Sequence, residues 1–237
     1  IEAATIELKA NGGNIYALAG NTDGLMRATG VSNAGGRIFL TAGDTGSVTI
    51  EKSIKSVKAD GSGGSVNITA GTIDVSGEID VSSASGDGGI AYIFSEDRTD
   101  FIGSIDASGN GAINSGGFVE ISSHKVVNIT GEVNGGLGGT FIIDPETIKI
   151  NSSGSGSDLN TSFIRAGLIT EALTAGTNVT IWTQSSVTGR SSGYSANSPH
   201  QEGDIIIASA LEYSGSGNLT MLAMGDIFVQ YSILPQK

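Results

Sequence analysis

Reactive chemistry in this chain of 237 residues would have to come from carboxylates, because it carries 24 Asp and Glu, two His and no Cys. Without thiols there are no disulfides, no thiolate metal sites and no cysteine nucleophile. The string Asp44-Thr45-Gly46-Ser47 matches the surroundings of an aspartic-protease carboxylate. That mechanism needs two carboxylates sharing one proton, and no second Asp-Thr-Gly or Asp-Ser-Gly occurs. The string is therefore read as a polar turn between a strand ending at Ala42 and one starting at Val48. Glycoside hydrolysis asks for a carboxylate pair about 5 to 9.5 Å apart. Asp74, Asp80, Asp106 and Glu120 are candidates, but they recur at repeat positions as solvated ladder residues do. The 12 Lys and Arg are scattered, which leaves no basic site for a uronate chain. We assign no catalytic residue.

His124 and His200 are the two histidines and lie far apart in sequence, so a histidine metal centre is not expected. The calcium nonapeptide Gly-Gly-x-Gly-x-Asp is absent, although acidic turns at Asp97 and Asp100 could hold an ion weakly. The expectation is no metal and no cofactor. Asn67, Asn128, Asn151, Asn160, Asn178 and Asn218 each begin an Asn-x-Ser/Thr sequence. Chance explains most of these in a chain rich in Asn, Ser and Thr, with Asn151 the exposed loop position open to modification.

What positions these groups is a repeat. Gly-Gly followed by alternating residues recurs at 12, 35, 63, 88, 116 and 138, in steps of 23, 28, 25, 28 and 22 residues. Steps averaging about 25 residues fall in the range that signals a solenoid. Glycine supplies 37 of the 237 residues, roughly twice the usual share of about 7%. Counting from the second glycine, slot two holds Ile15, Ile38, Val66, Ala91, Val119 and Phe141. Slot four holds Ala17, Leu40, Ile68, Ile93, Ile121 and Ile143. Strand side chains alternate faces, so these slots point together into a core. Slots one, three and five face outward, where they include Asn67, Thr69, Glu120 and Ser122. Further strand and turn units, Thr72–Gly77, Glu78–Ser82 and Ser104–Gly109, lie between the Gly-Gly strands.

These units predict an all-β fold, a right-handed parallel β-helix in which coils stack at about 4.8 Å per coil. Nine or ten coils would make a rod roughly 45 Å long. The Gly-Gly pair is expected at a corner, supplying left-handed or tightly bent backbone where a Cβ would clash. Residues 1–144 form the regular Gly-Gly coils. Residues 145–237 are read as a loop, a short helix and further coils of the same rod. In that second part, Asn151–Asp158 is a Ser/Gly loop and 161–174 a short helix, capped by Asn160 or Thr161 and stopped by Gly176. Ala166, Ile169 and Leu173 share its apolar face, and it is expected to cover the rod locally. Strands resume at 178–182, 204–207, 218–222 and 226–229.

Slot three carries the rings Tyr16, Phe39 and Tyr92 on the outer face. Two readings stay open: the rings lie under loops, or they form an inter-rod contact, as exposed aromatic patches do. A formal charge of −12 and a pI near 4.4 disfavour nucleic acid, heparin-like polyanions and anionic membranes as partners. No run of about 18 apolar residues is present to insert in a membrane as a helix. The start at Ile1-Glu2-Ala3 shows no signal segment, so any export signal is expected outside this sequence. No polar cap closes either end of the rod, which points to other copies or further coils of the same polypeptide as neighbours in a filament.

The strings GGNIYALAGNTDGLMRATG at 12–30, GGRIFLTA at 35–42, GDGGIAYIFSEDRTDFIGSIDASG at 86–109, GGFVEISS at 116–123 and GGTFIIDPETIKI at 138–150 resemble the filamentous haemagglutinin-like family of large secreted bacterial surface proteins. TSFIRAGLITEALTAGTNVTIWTQ at 161–184 looks like the segment that follows the Ile-Asp-Pro motif there, so the resemblance covers nearly the whole chain. It implies a right-handed β-helix, export across a Gram-negative outer membrane through a partner pore, and a surface or released fibre that attaches to host or neighbouring-cell glycans or proteins. No Asn-Pro-Asn-Gly or Asn-Pro-Asn-Leu export motif occurs, so the chain looks like the shaft beyond the export domain. A polysaccharide-binding or polysaccharide-cleaving β-helix is the alternative, since fold does not dictate function.

Overall fold

Alternation of apolar and polar side chains makes strands with one buried face, and Gly-rich corners turn each strand so that the next coil lies above the last. The computed structural model describes residues 2–3, 5–9, 15–17, 26–30, 36–184 and 203–236, with the backbone alone given before Gly36. The strands are β1 (Glu2–Ala3), β2 (Thr5–Lys9), β3 (Ile15–Ala17), β4 (Met26–Gly30), β5 (Arg37–Ile50), β6 (Ile54–Lys58), β7 (Ser65–Val75) and β8 (Glu78–Asp80). Next come β9 (Ile90–Phe101), β10 (Ser104–Asp106), β11 (Phe118–Ser123), β12 (Val126–Ile129), β13 (Glu132–Asn134), β14 (Thr140–Asp144), β15 (Ile148–Asn151) and β16 (Ser162–Arg165). After the helix α1 (Ala166–Thr174) follow β17 (Asn178–Trp182), β18 (Ile205–Ile207), β19 (Leu211–Tyr213), β20 (Leu219–Leu222), β21 (Ile227–Val229) and β22 (Ile233–Pro235). Every pairing between these strands is parallel, and the result is a β-solenoid of about 7 turns.

Three faces run along the rod. The first stacks β2, the leading halves of β5, β7 and β9, then β11, β14, β17 and β20. The second stacks β3, the trailing halves of β5, β7 and β9, then β12, β16, β15, β18 and β21. The third stacks β1, β4, β6, β8, β10 and β13, and beyond α1 the pair β19 and β22. The turns are fewer than nine or ten because each spends three strands, and the later ones are long. A first-face step takes 28 residues from Arg37 to Ser65, but 38 from Thr140 to Asn178 and 40 from Val179 to Leu219.

Inside, like residues lie over one another. On the first face Ile38, Val66, Ala91, Val119, Phe141 and Val179 form one column and Leu40, Ile68, Ile93, Ile121, Ile143 and Ile181 a second, all fully buried. On the second, Ile50, Val75, Phe101, Ile129, Ile164, Ile150 and Ile207 make a column. The third contributes Ile54, Ile79, Ile105 and Val133. Each buried Ile or Val adds on the order of 1.5–3 kcal/mol by leaving water, so this apolar stack is the main stabilising element.

The Gly-Gly corner joins the third face to the first. The N–H groups of Ser65, Ile90, Phe118, Thr140 and Asn178 bond the carbonyls of Gly36, Gly64, Gly89, Gly117 and Gly139 in turn. A Cβ on Gly64 would lie 2.3 Å from the Gly36 oxygen, and one on Gly89 would lie 2.2 Å from the Gly64 oxygen. Among the described glycines of these pairs φ is positive only at Gly36 and Gly138. Close approach of stacked backbone, more than left-handed conformation, is therefore what requires glycine here. The first copy of the repeat differs: the strand after its Gly-Gly, β3, pairs with the trailing half of β5 and so belongs to the second face. The Asp44–Ser47 string sits at the corner between the first and second faces, where β5 bends with a register shift and Gly43 takes a φ of +73°.

The same sheets continue past Asp144, with one exchange of order. β16 inserts between β12 and β15, so that two strands consecutive in sequence are inverted in the stack. Asn151 organises the intervening loop by accepting from the Gly154 N–H at 2.6 Å and donating to the Ser155 carbonyl at 2.9 Å. The helix starts at Ala166, not 161, because residues 162–165 are held as β16. Its N-cap is Arg165, with no side-chain cap. It takes a place on the third face, against β13 on one side and β19 on the other, and sends Leu168, Ile169 and Leu173 into the core. It thus replaces a strand where a surface cover was expected. Gly176, at φ +87°, ends it as expected: its N–H bonds the Leu173 carbonyl and the Thr177 N–H that of Ala172.

Candidate functional site

The acidic ladder residues separate into two kinds of position. At the ends of third-face strands, Asp80 Oδ1 accepts from the Ser82 N–H at 2.9 Å, Asp106 Oδ1 from Ser108 at 2.9 Å and Asn134 Oδ1 from Gly136 at 3.0 Å. Here the carboxylate closes a turn two residues long, a backbone-mimicking role typical of Asp and Asn. Asp80 also pairs with Lys55 one turn below. Its burial opposes ionisation, but hydrogen bonds from Lys55 and Ser82 outweigh that and hold the carboxyl below its usual range. Along the second face, Asp74, Asp100 and Asn128 stack in register. Arg98 grips Asp100 with two hydrogen bonds at 2.6 and 2.9 Å, and the Asn128 amide donates to it at 2.9 Å. Asp74 is pushed up by burial and by the neighbouring Asp100. Asp97 pairs with Lys125. Among the described residues no cluster of three metal-ligating side chains occurs.

A trough of about 530 Å³ follows the corner between the second and third faces, past Glu78, Gly103, Ser104, Gly131 and Glu132. Its floor is another glycine ladder, in which the Ser104 N–H bonds the Gly77 carbonyl and the Glu132 N–H that of Gly103.

A grouping of aromatic and acidic side chains lies on the outside of the first face. Tyr92 and Glu120 are register neighbours, and Phe94, Ser122 and Asp144 form the adjacent column. The Tyr92 and Phe94 rings are 6.3 Å apart and within 13° of parallel, while Phe94 meets the His124 ring edge-on at 4.8 Å. His124 Nδ1 lies 2.7 Å from Glu96 Oε2. Ser122 occupies an outward slot yet is 1% exposed, and its hydroxyl donates to Glu120 at 2.9 Å. It lies between Phe94 and Asp144 in that column. Gln184 donates to Asp144 Oδ2 at 2.5 Å, while Asp144 Oδ1 is buried without a partner. Burial, and next the Glu120 charge, push the Asp144 carboxyl up, against the pull of Gln184 and His124. Tyr92 is likewise raised, by burial and then by Glu120 and Asp144. The β14 and β17 register sets Trp182, 45% exposed, one turn above Asp144.

Of the three rings singled out in sequence, Phe39 and Tyr92 stand in one column with Asn67 between them, both half-buried. Tyr16 pairs with Thr49 and so belongs to the second face, away from that column. Its side chain lies outside the described atoms, and His200 outside the described residues. Phe94, Asp144 and Trp182 were not singled out. Reading slot five across the repeats, Thr41, Thr69, Phe94, Ser122 and Asp144, would have found the first two. Asn151 uses its amide in folding its loop, whereas Asn160 is exposed. Comparison with protein-family models, with characterised proteins and with solved structures finds no match to this chain.

Proposed function

We propose that the chain is a structural and adhesive segment of an extracellular bacterial surface fibre, a stretch of shaft of the kind that the filamentous haemagglutinin-like family builds. The observation that most supports this is the parallel stack itself: Leu40, Ile68, Ile93, Ile121, Ile143 and Ile181 lie over one another, fully buried, in a column that runs along successive turns. Such a repeat needs only neighbouring coils for its stability, which suits the shaft of a fibre. A net charge of −12 disfavours sideways association of such rods.

The reading is tested by coating beads with the purified chain and measuring retention on cell surfaces and immobilised glycans, beside a lyase and glycosidase screen. Retention without turnover is expected. A chain that adheres to neither, or that cleaves a polysaccharide, overturns it. Polysaccharide cleavage stands as the second reading on one observation: Glu120 and Asp144 sit on neighbouring turns, and a carboxyl raised by burial, as that of Asp144 is, suits the general-acid role in a carboxylate pair.

A further inference from the structure

The adhesive reading leaves open where on the rod a ligand is held, and the outer first face answers with chemistry of one kind. Along the rod axis one column runs Phe94, Ser122, Asp144 and then Trp182, with Tyr92 and Glu120 in the column beside it. Aromatic surface thus lies at both ends of a polar centre, over three turns or about 14 Å at the usual strand spacing. Ring faces carry partial negative charge and attract the C–H faces of pyranose rings, while carboxylates accept hydrogen bonds from hydroxyls. Uronates and sulfated sugars would meet Glu120 and Asp144 with like charge, in a chain already at −12. The His124 ring, edge-on to Phe94, is engaged by Glu96.

We propose that Tyr92, Phe94, Glu120, Asp144 and Trp182 form a binding site for a neutral pyranose oligosaccharide lying along the rod. The proposal rests on the adhesive reading and names its ligand class and its place. The rings supply apolar contact, and Glu120 and Asp144 select hydroxyl-bearing over anionic sugars. The rigid parallel sheet holds the groups in place before the ligand arrives, which lowers the cost of binding.

Trp182 is the one tryptophan in the chain, so its emission reports on this site. The full chain is titrated with glucose and N-acetylglucosamine hexasaccharides and with hyaluronan fragments, following Trp182 fluorescence. The neutral oligosaccharides are expected to shift and quench the emission saturably, and hyaluronan to leave it unchanged. Phe94→Ala and Glu120→Gln are each expected to weaken binding at least tenfold. Phe39→Ala, two turns away on the same face, is expected to bind as the parent does. Glu120→Gln keeps the side-chain shape, so it tests the site even if Phe94→Ala fails to fold. Three outcomes overturn the proposal and leave the adhesive reading standing: adhesion to cells with no neutral oligosaccharide bound, tighter binding of hyaluronan, or glycan binding unaffected by Glu120→Gln. A chain that binds neither cells nor glycans sinks both.

Discussion

Arg165 Nη2 donates to the carbonyl oxygen of Gly131 at 3.0 Å, where in the turns below the backbone N–H of the next coil would stand. Gly77 and Gly103 give their carbonyls to Ser104 and Glu132, but above Gly131 the third face turns into α1, which offers no strand N–H. The guanidinium fills that gap, bonds the Thr130 carbonyl as well at 3.0 Å, and is held from the helix side by Glu171 at 2.9 Å. One side chain thus joins a strand stack to the helix that interrupts it.

Removing that donor leaves two carbonyls without their partner. Arg165→Met is expected to destabilise the chain by about 2 kcal/mol, in the range for an unmet buried acceptor. Arg165→Lys should recover little, because a point ammonium cannot serve two carbonyls and a carboxylate in one plane. Denaturant titration gives the magnitude, and hydrogen exchange should localise the loosening to α1. Equal stability of Arg165→Met and the parent would remove the bridging role.

The glycine ladder separates two reasons for glycine. Gly64 has no positive φ, yet an added Cβ would sit 2.3 Å from the Gly36 carbonyl, and backbone on both sides leaves it nowhere to move. Gly111 has φ of +84° and open space around it. Gly64→Ala is expected to cost about 3 kcal/mol, the upper end of the range for overpacking in a rigid interior. Gly111→Ala should cost about 1 kcal/mol, from the left-handed conformation alone. Thermal melts of the two variants compare them directly, and the reverse order would mean that handedness governs the corners.

The sequence made one of these two patterns plain and hid the other. Alternation after each Gly-Gly identified Ile38, Ile68 and Ile121 as core and Asn67 and Glu120 as outward, because strand period is local information. The grouping of Phe94, Asp144 and Trp182 depends on which turn lies over which, and Trp182 reaches its place only after the excursion through β15, β16 and α1. Tyr16 was aligned with Phe39 by the shared Gly-Gly, but β2 had already filled the first-face position. Similarly, Ser162–Arg165 carries a helix-start pattern that lost to pairing with β15, where the Ser162 hydroxyl also accepts the Val127 N–H at 2.9 Å. Tertiary partners outweighed a weak local cap.

Asp144 has its carboxyl raised by burial and by Glu120, so the fold favours its protonated form. A raised carboxyl contributes stability that is fully present below its unfolded value, near pH 4, and is lost as pH rises through the folded one. At pH 7 the charge is therefore a cost. Asp144→Asn should raise the melting temperature at pH 7, by roughly 1–3 °C for a chain of this size, and change it little at pH 3. A lower melting temperature at pH 7 would mean that the Gln184 contact outweighs the burial.

Lys55 and Asp80 have the opposite sign. The hydrogen bonds of Lys55 and Ser82 hold the Asp80 carboxyl down in spite of its burial, so its contribution is present above the unfolded value and is lost as pH falls through the folded one. Asp106 stands one turn above Asp80 in the same column, and Lys55 one turn below it. Lys55→Met leaves Asp80 partly buried beside a like charge. It should move the Asp80 carboxyl above its present position and lower the melting temperature at pH 7 by a degree or two, the size of a partly exposed pair worth about 0.5–1 kcal/mol. Once the pH has fallen below the folded value of Asp80 in both proteins, the difference should close. Carboxyl-carbon NMR titration follows Asp80 itself, and an unmoved titration in Lys55→Met would show that the Ser82 turn alone sets its proton affinity.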